Sequence, residues 1–101
     1  MIIYNITINI DNDVAVEWLD WMTHTHIPDV MKTGSFLENH ILRVMADEDS
    51  GGKTYSIQYY CNSMDEFDVY EKNFAPALRA DFNERYKNKF VAFRTFLEVI
   101  K

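Results

Sequence analysis

Apolar and polar residues alternate over the first ten positions of the chain. A period of two predicts a β-strand with one buried face. We expect the apolar set to face a layer of helices and the other set to lie on the opposite face of a sheet. The apolar set consists of Ile2, Tyr4, Ile6, Ile8 and Ile10, and the other set of Ile3, Asn5, Thr7 and Asn9.

The pattern then changes to the period of a helix. Residues 11–13, Asp-Asn-Asp, offer N-cap side chains just before it. At 100° per residue the following apolar residues share one arc with Thr25 and His26. Pro28 disfavours helical geometry at the residue before it, so we expect this helix to end or kink at Ile27 and to stop by Gly34. The arc holds Val14, Ala15, Trp18, Leu19, Trp21 and Met22.

Two strand-like segments follow, at residues 36–45 and 53–61. The acidic segment 47–52 between them ends in Gly-Gly and is long enough to reverse the chain. We therefore predict a β-hairpin in the middle of the chain. Ser56, Gln58 and Tyr60 of its second strand match the polar set of the first strand.

A second helix is predicted from Ser63, because Ser63 and Glu66 have the spacing of a capping box. Pro76 lacks an amide proton and should break or kink this helix after Phe74. Residues 90–100 form the last predicted strand, which is apolar on both faces.

The order β-α-β-β-α-β predicts an α+β, ferredoxin-like domain spanning residues 1–101. Right-handed crossovers put both helices on one face of a four-stranded antiparallel sheet. The last strand is apolar on the face that the helices leave bare, and a large apolar patch on a small protein is typical of an interface. We predict a homodimer that pairs two such sheets; a monomer with scattered exposed apolar residues is the alternative.

Charge and composition narrow the classes of partner. A net charge of −6 disfavours nucleic acid, because it repels phosphate groups. No apolar run approaches the length needed to span a bilayer, so no membrane role is expected. Cys61 is the single cysteine, which excludes an intramolecular disulfide. We expect a cytoplasmic protein.

In five segments, residues 1–5, 18–22, 26–31, 75–79 and 90–95, the chain resembles a small bacterial family catalogued only as a domain of unknown function (4286). The chain is also similar, through His26-Ile27-Pro28 before Gly34, to dimeric α/β-barrel proteins such as the EthD-like and antibiotic-biosynthesis monooxygenase-like groups. These resemblances imply a barrel built from two paired sheets. They imply no particular activity, since a fold does not select a function.

His26 is the candidate catalytic residue, and two interpretations of it are open. It lies in the apolar arc while His24 lies on the polar side, so the two do not form a metal pair, and no metal site is expected. In a pocket between helix and sheet, His26 is a candidate neutral general base, a role that the EthD-like resemblance makes interesting. The simpler interpretation, which we favour from sequence, is a buried histidine bonded to a backbone carbonyl.

Asn5, Tyr60 and Arg94 are the candidate ligand-binding residues. In a functional interpretation Arg94 holds an anionic ligand, while Asn5 and His26 shape a proton path. In a structural interpretation Arg94 joins Glu38 and Glu98 in a charged cluster at a subunit seam.

Two functional hypotheses follow from the sequence. The first is a self-associating dimeric module with no identifiable activity. The alternative is a cofactor-independent enzyme of monooxygenase, isomerase or cyclase type, which acts on a small aromatic or anionic molecule. Neither hypothesis requires a cofactor.

Overall fold

The computed structural model describes residues 1–46 and 51–101. Four strands and four α-helices occur in the predicted order, and a short π-helical segment joins the first two helices. The elements are β1 (Ile2–Asp11), α1 (Ala15–Trp21), the π segment (Met22–His26), α2 (Ile27–Lys32), β2 (Glu38–Arg43), β3 (Gly52–Cys61), α3 (Met64–Asn73), α4 (Ala75–Arg85) and β4 (Phe90–Glu98).

The four strands form one antiparallel sheet in the order β2-β3-β1-β4. The helices cover one face, which confirms the predicted α+β, ferredoxin-like fold. β2 and β3 pair as the expected hairpin, although β2 is shorter than predicted. The predicted turn at 47–52 lies partly outside the described residues.

The core lies between the helices and one face of the sheet. As predicted, Tyr4, Ile8 and Ile10 of β1 face inward and are almost fully buried. Every second residue of β3 also faces this core, and the helices contribute large aromatic side chains to it. This inner layer includes Tyr55, Ile57, Tyr59, Trp18, Trp21, Phe67, Tyr70, Phe82 and Tyr86.

The first helical region is continuous from Ala15 to Lys32, with one widened turn. The amide of Ile27 donates to the carbonyl of Met22, five residues back, at the end of the π segment. Pro28 explains the wide turn, because it has no amide proton for the carbonyl four residues back and its ring crowds that carbonyl. The helix does not end at Ile27, which keeps helical backbone angles, and the irregularity expected before Pro28 takes the form of a π segment that ends on His26.

The predicted cap of α1 is wrong. The residue preceding α1 is Val14, and no side chain in the described parts of the chain caps the helix. The carboxylate of Asp13 instead accepts a hydrogen bond from Lys89 Nζ at 2.7 Å. The turn between β1 and α1 therefore uses its acidic side chain to tie down the loop before β4.

The second helical region follows the predicted pattern. Ser63 Oγ accepts a hydrogen bond from the Glu66 amide at 3.3 Å, which is one half of the predicted capping box. The helix breaks at Phe74, and α4 begins with Pro76 in its first turn. None of the helices in the described parts of the chain is long and apolar enough to cross a membrane.

None of the helices in residues 1–46 and 51–101 lies on the outer face of the sheet. Its β4 residues Val91, Phe93 and Leu97 are exposed by 71%, 63% and 39%. On β1 and β3 the same face is polar, with Asn5 opposite Gln58 and Thr7 opposite Ser56. We call this surface the open face, and its apolar part is concentrated on the edge strand β4.

Candidate functional site

A pocket lies between the sheet and the helices, beside β4. The space between its walls, including the mouth, is about 510 Å³. About 40 Å³ of this is wide enough for the centre of a water molecule, which corresponds to a few waters. The pocket is therefore narrow in this conformation. Its walls are mostly apolar and aromatic, with His26, Arg79, Asn83 and Arg94 among the polar lining residues.

The hydroxyl group of Tyr4 joins two arginines at one end of the pocket. Arg94 Nε donates to this oxygen at 2.7 Å, and Arg79 Nη2 donates to it at 3.0 Å. Tyr4 reaches this position because it faces inward on the central strand β1, between α4 and the edge strand β4. We call Tyr4, Arg79 and Arg94 the polar end of the pocket.

Glu71 holds Arg79 in place from α3. Its two carboxylate oxygens accept hydrogen bonds from Arg79 Nη1 at 2.5 Å and Nη2 at 2.6 Å, a two-pronged ion pair with defined geometry. The hydrogen bond from Arg79 lowers the pKa of Glu71 and, reciprocally, Glu71 raises the pKa of Arg79. The break at Phe74 turns α4 back against α3, which allows two residues eight positions apart to meet.

Arg94 differs from Arg79 in its charge balance. It makes no ion pair with any described carboxylate, and its single described hydrogen bond is the one from Nε to Tyr4. Its terminal nitrogens have no hydrogen-bond partner within residues 1–46 and 51–101. The polar end with Glu71 therefore contains two positive groups and one negative group, and the excess positive charge is on Arg94.

His26 lines the same pocket from the end of the π segment. Its ring stacks on Trp21, with centroids 4.9 Å apart, and meets the edge or face of Phe82 at 5.5 Å. Burial lowers the pKa of His26, and the carboxylates of Asp81 and Asp29 only partly oppose this effect. The ring is therefore neutral at pH 7, and it makes no hydrogen bond to a backbone carbonyl in the described structure.

The structure places the other two predicted binding residues elsewhere. Asn5 and Tyr60 lie on the open face, separated from the pocket by the sheet. Asn5 Oδ1 accepts a hydrogen bond from Ser56 Oγ at 2.5 Å, and the ring of Tyr60 packs against His40. Neither residue lines the pocket.

The charged cluster of Arg94, Glu38 and Glu98 does not form within one chain. β2, which carries Glu38, and β4, which carries Arg94 and Glu98, are at opposite edges of the sheet. Glu38 Oε2 instead lies 3.6 Å from His40 Nε2. In the described part of the chain, no three His, Cys, Asp or Glu side chains come together as a metal-binding group.

Sequence reasoning missed most of the polar end. Tyr4 was assigned to the core, where its ring does lie, but nothing near it in sequence marks its hydroxyl as a hydrogen-bond acceptor. Its partners are 75 and 90 residues away. Tyr59 was missed too, although it lines the pocket and its buried hydroxyl has no hydrogen-bond partner among the described residues.

Comparison with known protein families gives a clear assignment. The family described as a domain of unknown function (DUF4286) matches residues 1–100. The chain belongs to this family. The resemblance seen in the sequence is thereby confirmed. No match was found among curated proteins.

Solved structures with the same fold cover nearly the whole chain. A mutant of MhuD with two manganese protoporphyrin IX molecules bound per active site has a TM-score of 0.73 and 19% identity, over 100% of this chain and 96% of that one. A putative antibiotic biosynthesis monooxygenase from Bacillus cereus has a TM-score of 0.67 and 11% identity, over 99% and 93%. A dimeric ferredoxin-like protein from an uncultured marine organism has a TM-score of 0.60 and 16% identity, over 99% and 95%.

At these identities the similarity establishes the fold alone. It confirms the ferredoxin-like architecture and the predicted likeness to the monooxygenase-like group. It assigns no activity to this chain.

Proposed function

We propose that the pocket beside β4 binds a small, mostly apolar anion and that His26 moves a proton on it. The observation that carries this proposal is that His26, at the end of the π segment, and Arg94, on β4, line one pocket. Arg94 has unused donors for an anionic group, and His26 is neutral and so able to accept a proton. The aromatic walls favour a flat ligand.

His26 and Arg94 face different parts of the pocket. Arg79 and Phe82 are three residues apart on α4, about 4.5 Å along the helix axis. Arg94 and Phe90 are four residues apart on β4, about 13 Å along the strand. His26 packs against Phe82, and Phe82 packs against Phe90, so His26 lies near these two rings. A ligand that contacts both Arg94 and His26 must therefore extend from the polar end to the two phenylalanine rings. One aromatic ring with a functional group at each end has a suitable length.

The chemistry that fits is an isomerisation through an enolate. His26 accepts a proton from a carbon next to a carbonyl group, and the electrons of the C–H bond move into the enolate. The same imidazolium then returns the proton to another atom of the enolate. The reaction is balanced without an oxidant, reductant or cofactor. The pocket has room for only a few waters in this conformation, so its walls must move apart to admit a ligand with an aromatic ring.

A proton-exchange assay tests this proposal. The probe is 4-acetylbenzoate, which carries a carboxylate at one end of a ring and an enolisable methyl ketone at the other. In D₂O, we expect the protein to accelerate loss of the methyl signal in the proton NMR spectrum. His26→Gln should abolish the acceleration, and Arg94→Gln should weaken binding of the probe.

Acetophenone, which lacks the carboxylate, is the matched ligand control and should exchange much more slowly. Asp68→Asn, on the exposed side of α3, is the matched protein control and should behave as wild type. If the wild-type protein neither binds 4-acetylbenzoate at millimolar concentration nor exchanges its methyl protons, the proposal fails.

We also propose that two copies pair through the open face. Exposed Val91, Phe93 and Leu97 on β4 support this, because no described residue of the same chain covers them. One structural neighbour is a dimeric ferredoxin-like protein. Phe96, by contrast, points to the helices and packs on Tyr4 and Phe67, so it is not part of the open face.

Light scattering coupled to size-exclusion chromatography tests the dimer. We expect a dimer at micromolar concentration, and Phe93→Glu should convert it to monomer because a buried, unpaired carboxylate is strongly unfavourable. Val16→Glu is the control, since Val16 is 81% exposed on α1, away from the open face. A wild-type monomer at this concentration contradicts the proposal.

A cytoplasmic location completes the proposal. The support is Cys61, a buried free thiol that is consistent with a reducing compartment. Cell fractionation with an antibody to the native protein tests it, and recovery outside the cytosolic fraction would contradict it.

A further inference from the structure

We propose that Glu71 sets the charge selectivity of the pocket, making it a site for monoanions rather than dianions. The inference rests on the proposed function and names the class of ligand that the site takes. Glu71 does not line the pocket itself. It acts on a ligand through Arg79 and through its own charge.

The geometry makes Glu71 more than a surface charge. It binds Arg79 through both oxygens, and the same Arg79 Nη2 that contacts Oε2 also donates to Tyr4. The side chains of Arg79 and Glu71 are only 31% and 41% exposed, so this pair is partly shielded from water. Glu71 thus fixes one guanidinium group and cancels its charge.

Arg94 is left as the positive group that an incoming anion can neutralise. One monoanion at the polar end brings the sum of charges at Arg79, Arg94, Glu71 and ligand to zero. A dianion leaves one uncompensated negative charge at the polar end, beside the mostly apolar walls of the pocket, which is unfavourable. The ligand class that best matches this balance is an aromatic monoanion, such as a monocarboxylate.

Removing the charge of Glu71 should favour every anion, and a dianion twice as much in free energy as a monoanion. At an effective dielectric constant of about 20 and with allowance for solvent screening, we expect a change on the order of tenfold in the affinity for a monoanion. The ratio of dianion to monoanion affinity should therefore rise about tenfold as well.

Phenyl sulfate and phenyl phosphate provide matched probes. They have nearly the same shape, but at pH 8 the sulfate carries one charge and the phosphate carries almost two, since its second pKa is about 6. Calorimetry or NMR titration gives both dissociation constants for the wild-type protein and for Glu71→Gln. The amide oxygen of the substituted side chain still accepts a hydrogen bond from Arg79, and Glu71→Met is a second neutral variant if the first does not fold.

Two further variants separate charge from structure. Asp68→Asn removes the same charge from the exposed side of the same helix, and it should change the ratio less than twofold. The double variant Glu71→Gln with Arg79→Gln restores the original sum of charges, so its ratio should return towards the wild-type value. A merely structural Glu71 predicts a further loss of binding in the double variant and no return.

The outcomes distinguish the two proposals. If wild type binds neither probe, or if Arg94→Gln binds them as well as wild type does, the proposed function fails and takes this inference with it. If the wild type binds phenyl sulfate but Glu71→Gln leaves the ratio within twofold, only the role of Glu71 is refuted.

Discussion

Replacing tyrosine by phenylalanine should affect the stability of the fold differently at Tyr4 and at Tyr59. Both side chains are buried, with 2% and 1% of their surface exposed. The Tyr4 hydroxyl accepts hydrogen bonds from Arg79 and Arg94, whereas the Tyr59 hydroxyl has no described partner. Tyr4→Phe should therefore destabilise the fold, and Tyr59→Phe should leave it unchanged or more stable.

The magnitude for Tyr4→Phe follows from the two charged donors. Hydrogen bonds to charged groups contribute about 1.5 to 3 kcal/mol each. Arg94 is exposed and the Arg79 side chain is 31% exposed, so both can turn to water, and we expect a total loss of about 2 kcal/mol. The ring contacts with Phe67 and Phe96 remain, so no cavity contributes.

Tyr59→Phe removes a polar group that is buried without a partner. Leaving such a group unsatisfied costs about 1 to 3 kcal/mol, so its removal should not lower the free energy of unfolding. Burial also raises the pKa of Tyr59, consistent with a phenol kept away from water.

Urea unfolding followed by circular dichroism measures both variants, together with thermal unfolding. A loss of about 2 kcal/mol in a domain of this size lowers Tm by about 8 to 16 °C. A double-mutant cycle of Tyr4→Phe with Arg94→Gln then isolates the coupling between these two side chains. The reasoning would be refuted if Tyr59→Phe were as destabilising as Tyr4→Phe, or if the cycle showed no coupling.

Three further predictions concern stability. His26 has a folded-state pKa below its ordinary value of 6.5, so the unfolded chain takes up the proton first as the pH falls. The free energy of unfolding should therefore decrease below about pH 6.5 until the folded-state pKa is reached, and His26→Gln should flatten this part of the urea-derived stability profile. Ser63→Ala should cost about 1 kcal/mol by removing the cap of α3, and a loss within 0.2 kcal/mol of zero, on the order of the fitting error, contradicts this role. Gly52→Ala places a Cβ atom 2.8 Å from the carbonyl oxygen of Ile10, which is closer than a normal contact, so we expect the variant to unfold at a lower urea concentration than wild type. Equal urea midpoints of wild type and variant would contradict this expectation.

Much of the fold could be predicted because its signals are local. Alternation in β1 identified the inward residues, since successive side chains of a strand point to opposite faces. Pro28 and Pro76 identified the two irregular points of the helices, since proline removes a donor wherever it lies. The cap of α1 was predicted wrongly, because Val14 and not Asp13 occupies the N-cap position, and the Asp13 carboxylate pairs with Lys89, far away in the sequence.

The candidate site was only partly visible in the sequence. His26 and Arg94 were recognised by residue type, which is a local property. Asn5 and Tyr60 were also recognised by type, and the sheet then separated them from the pocket. Which polar residues share a cavity depends on the face of the sheet and the order of its strands.

The sequence by itself determined the order of elements, the buried face of β1 and the apolar character of both faces of β4. Only the tertiary structure decided that Arg79 and Arg94 meet at the hydroxyl of Tyr4, from which they are 75 and 90 residues away in the sequence. Periodicity reports which way a side chain points within its own element. It does not report which element lies opposite, and that was decided by the strand order β2-β3-β1-β4 and by the helix break at Phe74.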